Sequence, residues 1–180
     1  MRFLTREDSR AWSTARGVSA GAHGVPTPVP KPLHAVRFHL PQTIGQLTWL
    51  CRFVSASLSP RAECLLWVTQ WGVWPNSENW HLYYKLRQSH SDQRLLAEAP
   101  GHLFLDYEEA DFVSFLQIGI LNGWDMHVLP DLDYGRADSA RAFVSNEEWI
   151  AIAHRDPEIA KGWRAELEQA EYKFDDPHAA

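Results

Sequence analysis

The side chains best suited to metal or acid–base chemistry are Asp125 and His127, two positions apart in Trp124-Asp125-Met126-His127-Val128. Residues at i and i+2 of a strand share one face, and a carboxylate beside an imidazole is a donor set for zinc, iron or manganese. His102, at the start of another apolar stretch, is the natural third member. His102, Asp125 and His127 are therefore the candidate metal or acid–base centre, with Asp131, Asp133 and His154 nearby in sequence. Against it, alternate polar residues also mark a solvated strand face, and no His-Glu-x-x-His or His-x-His spacing is present. Asp106, Glu108 and Glu109 have a simpler use, as negative charge at a helix start.

Two other patterns carry chemistry. Gly17-Val18-Ser19-Ala20-Gly21 satisfies G-x-S-x-G, but a nucleophile elbow needs a buried strand before the serine and a helix after it. Here the flanks are a polar helical segment and a proline run, so a serine hydrolase built on Ser19 lacks both halves of its context. The aromatic stretch from Trp67 to Arg87 offers a polar–aromatic binding lip of Trp71, Trp74, His81, Tyr83, Tyr84 and Arg87, and Gly72 would let a ligand or backbone approach Trp71 and Trp74. No glycine-rich phosphate cradle exists, so no nucleotide is implied, and no cofactor is expected. Cys51 and Cys64 lack Cys-x-x-Cys spacing and read as reduced, buried small hydrophobes.

These residues need elements to position them. Thr5, with Asp8 three residues on, starts a short helix over 6–16 that Gly17 ends. Pro26, Pro28, Pro30 and Pro32 alternate and impose an extended path, so residues 1–33 are expected to be a helix plus a proline-rich arm, and residues 34–180 one globular domain. Ala35–Leu40 reads as a strand. Ile44, Leu47, Cys51, Val54 and Leu58 repeat at helical spacing through 43–58. Cys64–Trp74 is apolar on both alternate faces, as in a central strand, with Leu65, Trp67 and Trp71 on one face and Cys64, Leu66 and Val68 on the other. Trp80, Leu82, Tyr84 and Leu86 alternate as in a strand, but Pro75 and Asn76–Ser77 mark a helix entry and favour a helix over 79–87. A strand at 102–105 leads into a helix with Asp106 and Glu109 at capping-box spacing, inward Phe112, Phe115, Leu116 and Ile120, and an Asn122–Gly123 stop. Strands follow at 124–129 and 140–144, then 149–154 as strand or helix. A last helix opens on Asp156–Pro157 with Ile159, Trp163 and Leu167 inward. This order predicts an α+β fold, or a three-layer α/β one, with helices packed on a mixed sheet.

The chain has 180 residues with 45% hydrophobic content and nine tryptophans, and no apolar run is long enough to span a bilayer. Arg6, Glu7 and Asp8 occupy the place of a signal peptide's apolar core, so the expected location is cytoplasmic. Formal charge is −6, divided as +5 over residues 1–100 and −11 over 101–180. An acidic total disfavours general nucleic-acid binding, though Arg2, Arg6, Arg10, Arg16 and Lys31 would form a basic arm if they lacked acidic partners. The reading that follows is a non-enzymatic protein-binding module whose acidic C-terminal half steers a protein partner or a second copy of the chain, as in a homo-oligomer. The alternative is an enzyme or metal protein centred on Asp125, His127 and His102.

Overall fold

The computed structural model describes residues 1–18, 21, 24–27, 33–59, 61–71, 77–131 and 140–174. Ser19, Lys31, Pro28, Pro30, Pro32, Trp74 and Asp133 lie outside them. Five helices pack on a seven-stranded sheet, the expected α+β architecture. The strands are β1 (Arg2–Leu4), β2 (His34–His39), β3 (Glu63–Gln70), β4 (Gly101–Leu105), β5 (Asp125–Asp131), β6 (Ala140–Ser145) and β7 (Trp149–His154). The helices are α1 (Arg6–Ala15), α2 (Ile44–Ser57), α3 (Ser77–Ser89), α4 (Glu109–Leu121) and α5 (Pro157–Gln169). Strand order is β1-β4-β3-β5-β6-β7-β2, and every pairing is antiparallel where a mixed sheet was expected.

The helix starts follow from local chemistry. Thr5 accepts from the Asp8 amide at 3.1 Å, Thr43 from Gln46 at 3.3 Å and Asp156 from Glu158 at 2.9 Å, each satisfying a donor the first turn leaves bare. Before α4 the expected Asp106–Glu109 box is replaced. Residues Asp106–Glu108 form a 3-10 turn, and the Glu108 carboxylate accepts from the Leu105 amide at 2.8 Å. In α5 the inward residues are Ala160, Trp163 and Leu167, while Ile159 is exposed. One position is about 100° of helix, which turns Ile159 out of the stripe. Ile44 is also exposed, being the first residue of α2. Residues 77–89 and 149–154 settle as helix and strand, respectively.

The sheet buries both faces. Toward α2–α5 lies the main core, which includes Cys64, Leu66 and Val68 of β3, Phe104 of β4 and Met126 and Val128 of β5. Trp12 and Val18 cover Leu65, Trp67, Leu103 and Leu129 on the other face. Burying each tryptophan removes about 150–250 Å² from water, so Trp12 and Trp67 account for much of this smaller core. Gly101 explains how closely α1 sits on β4: a Cβ there would lie 2.1 Å from Ser9 Oγ and 3.0 Å from Leu4 Cβ. The globular unit thus reaches back past His34, because β1 is a strand of the same sheet and α1 is packed on it. Arg16 fastens this corner, donating to Asp131 at 2.7 Å and to Glu63 at 2.8 Å, with Trp12 Nε1 on Glu63 at 2.9 Å.

Candidate functional site

Three of the candidate residues do meet, in the interior. Tyr83 and Arg87 stand i, i+4 on α3 and therefore face the sheet together. Arg87 Nη1 donates to Tyr83 Oη at 2.7 Å, and Tyr83 Oη lies 2.9 Å from His102 Nε2. His102 Nδ1 lies 3.2 Å from the Leu66 carbonyl, which can only accept, so the network assigns the proton to Nδ1 and leaves Nε2 to accept from the phenol. The relay runs Arg87 to Tyr83 to His102 to Leu66 O. At its other end Arg87 donates to the Ala99 carbonyl at 3.1 Å and to Asp92 at 2.8 Å, and Arg94 Nε holds Asp92 from outside at 2.9 Å. Phe3 and Phe115 wall the relay, their ring centroids 5.3 and 5.1 Å from that of His102.

Tyr83, Arg87 and His102 are all fully buried. Burial, seconded by the Arg87 charge, holds the His102 imidazolium off down to about pH 3, and burial pushes the Tyr83 phenol up. At neutral pH the relay is a neutral imidazole, a neutral phenol and one compensated ion pair. Apart from Arg87 Nε, which has no partner among the described residues, its polar atoms bond to one another and to the Ala99 and Leu66 carbonyls, which fixes α3 to the sheet and to the 92–99 segment. Tyr83 and Arg87 are therefore interior residues, not part of a surface lip, because the i, i+4 pair falls on the stripe that packs against the sheet.

Asp125 and His127 do share a face, but His102 is on the other one. Leu66 pairs with His102, and the next residue, Trp67, pairs with His127. Consecutive residues of one strand point to opposite faces, so the two imidazoles are separated by the sheet. Asp125 accepts from the Asn146 amide at 2.7 Å in the β6–β7 turn, and burial raises its pKa. His127 is buried against Phe143, with ring centroids 4.7 Å apart, and its Nδ1 has no hydrogen-bond partner. Burial, followed by the Arg141 charge, lowers its pKa to about 3. Among the described residues no group of three His, Cys, Asp or Glu side chains is placed to hold a metal. Cys51 and Cys64 are free and buried, and burial raises their thiols to about 12 and about 11.

The rest of the lip also divides. Trp71 packs half-buried on the main core, not beside Trp67, because the β3–β5 register shifts between Val68 and Gln70 and breaks the alternation. Tyr84 stacks on Trp80 at 5.6 Å and accepts from the Leu96 amide at 3.2 Å, while His81 is exposed. The basic arm is largely engaged as well. Arg2 and Arg16 pair with Glu63, and Arg10 donates to the Gly24 carbonyl at 3.2 Å.

An accessible recess lies elsewhere, on the outer side of the helical layer. Trp49 and Phe53, i, i+4 on α2, stack at 5.1 Å and nearly parallel, and Trp49 meets Tyr172 at 5.4 Å. Between α2 and α5 runs a groove of about 470 Å³ lined by Trp49, Arg52, Phe53, Ala56, Trp163 and Glu166. Beyond Tyr172 it adjoins a cavity of about 430 Å³ enclosed by the β2–α2 loop, the β6–β7 turn and the end of α5. Leu40, Pro41 and Tyr172 give that cavity an apolar lining, and Glu148 and Glu171 supply carboxylates. Both glutamates sit at φ of 64°. The left-handed conformation costs a side-chain-bearing residue on the order of 1 kcal/mol and is where glycine would be relaxed. Backbone bonds tie the walls together: His39 N to Lys173 O and Leu40 N to Glu148 O, both 2.8 Å, with Tyr172 Oη on Gln46 O at 2.7 Å. No local signal marks this recess, because its walls come from residues 39–46, 148 and 171–173, which meet only in the fold.

No protein family, no curated protein and no solved structure matches this chain.

Proposed function

We propose that the chain is a non-enzymatic protein-interaction module that uses the outer face of α2 and α5. The observation that carries this reading is the half-buried Trp49, stacked on Phe53 and touching Tyr172, at the lip of an open groove floored by the buried rings of Phe53 and Trp163, with Glu166 at its rim. Aromatic side chains in a groove with charged residues around them are the usual anatomy of a binding hot spot. Burial strengthens the acidic character inferred from composition. Among the described residues Arg61, Arg87 and Arg141 are withdrawn from the surface against one buried carboxylate, Asp92, so their exposed side chains are more negative than a count of charges gives. A cytoplasmic setting belongs to the same reading and is supported by two unpaired cysteines.

Site-directed photo-crosslinking in the native host tests it. A benzophenone-bearing residue at position 49 should yield one discrete adduct, and the same group at exposed Ala11, on α1 across the sheet, should not. An adduct of twice the chain mass would identify a second copy as the partner. Equal adducts at both positions, or none at 49, would overturn the reading.

A further inference from the structure

Resting on that reading, we propose that the occupant is an extended basic segment of another protein, with an arginine in the Glu148/Glu171 cavity and an apolar side chain in the Trp49 groove. The two recesses lie on either side of one ring contact, since Trp49 lines one, Tyr172 the other, and their centroids are 5.4 Å apart. The groove is apolar along Phe53 and Trp163, so it takes hydrocarbon. The cavity combines an apolar lining with carboxylates from two separate elements, which suits a long aliphatic stem ending in a planar guanidinium.

Charge favours a cation in the cavity, where Glu148 and Glu171 outnumber Lys173. In the groove Glu166 and Arg52 balance, which leaves it to an uncharged side chain. Spacing sets the motif. Gln46 borders the cavity and Phe53 the groove, seven residues or about 10 Å apart along α2. An extended polyproline II chain rises about 3.1 Å per residue and brings every third side chain back to the same face, so an arginine and an apolar residue three positions apart reach both recesses.

The probe is the peptide acetyl-Ala-Arg-Ala-Ala-Leu-Ala-amide, titrated into the isotopically labelled full chain and followed by amide chemical shifts. Shifts are expected at residues 39–42, 46, 49, 53, 148 and 171–173, weakening with salt. The double variant Glu148→Gln/Glu171→Gln, its remaining spectrum unchanged, should bind about tenfold more weakly. A peptide with Glu in place of Arg should leave these amides unmoved. No shifts at millimolar peptide, shifts on other surfaces, equal binding by the double variant or by the Glu peptide, or concentration-dependent shifts at the same amides without peptide would each overturn the inference. Failure of the peptide with a discrete adduct at position 49 removes the arginine segment and leaves the interaction module standing. Peptide binding without an adduct removes the interaction module, and with it the protein segment as occupant, and leaves only a recess that accepts a guanidinium.

Discussion

Replacing Tyr83 by Phe removes one oxygen from a fully enclosed relay and almost no volume. That oxygen accepts from Arg87 at 2.7 Å and donates to His102 at 2.9 Å. Arg87 Nη1 keeps the Ala99 carbonyl at 3.1 Å, so its loss is partial, but His102 Nε2 is left a bare acceptor in an apolar site walled by Phe3 and Phe115. An unmet buried acceptor costs about 1–3 kcal/mol, and a hydrogen bond to a charged donor contributes about 1.5–3 kcal/mol. The expected destabilisation is about 2–3 kcal/mol, or a fall in Tm of about 5–10 °C for a chain of this size. Urea unfolding of Tyr83→Phe, His102→Leu and the double variant measures it. Because Tyr83→Phe harms chiefly by stranding His102, the two changes should be non-additive by about 1 kcal/mol or more. Loss below about 0.5 kcal/mol, or additivity within about 0.3 kcal/mol, would refute the relay as described.

Other outcomes follow from the same geometry. His127→Leu removes an imidazole whose Nδ1 has no partner, so stability at pH 7 should hold or rise, in contrast to His102→Leu, which unmakes two hydrogen bonds. Both imidazoles titrate near 3 folded and near 6.5 unfolded, so the unfolded chain binds more protons between those values. Stability is therefore full above about pH 6.5 and falls as pH drops toward 3, by at most about 1.4 kcal/mol per pH unit for each histidine. Urea titrations at several pH values should show that slope reduced in His127→Leu. Arg87→Met leaves Asp92 its Arg94 partner but takes the donor from the buried Tyr83 hydroxyl and Ala99 carbonyl, and should cost about 1–3 kcal/mol by the same assay. Gly101→Ala forces Ser9 and Leu4 aside and should detach α1 from β4, read as faster amide exchange over residues 6–15.

What the sequence disclosed was what neighbouring residues decide. The starts of α1 and α5 were legible because a threonine or aspartate and the amide two or three positions on are enough to set a cap, and α2 was legible from its apolar spacing. The two faces of β3 were legible from Cys64 to Val68, where strict alternation holds, and failed beyond, where a register shift puts Trp71 on the core opposite Trp67. His102 and His127 looked like one centre because nothing local says which face of a sheet each imidazole takes; that depends on β4 and β5 flanking the same strand. Asp125 and His127 resembled a solvated face, yet His127 is buried, since both faces of this sheet are covered. Tyr83 and Arg87 carried a usable signal in their i, i+4 spacing, but a buried arginine is unexpected until Asp92 is seen beside it. The recess at Glu148 and Glu171 could not be read, because it exists only once the β6–β7 turn meets the end of α5.

Both outermost strands, β1 and β2, come from residues 2–39, whereas the five between them come from residues 63–154. During synthesis the edges therefore emerge first and their partners last: β1 needs residues 101–103, and β2 needs β7, at 149–154. Neither can form its ladder until most of the chain has left the ribosome, and closing loops of that length slows the search. The early segment must remain unpaired without aggregating, and its composition suits the wait, since Arg2, Arg6, Arg10 and Arg16 are spread along it beside Glu7 and Asp8. The charge of the first half, which in the finished fold clamps α1 onto Glu63 and Asp131, would also keep a nascent chain apart from its neighbours while it waits for the strands that complete it.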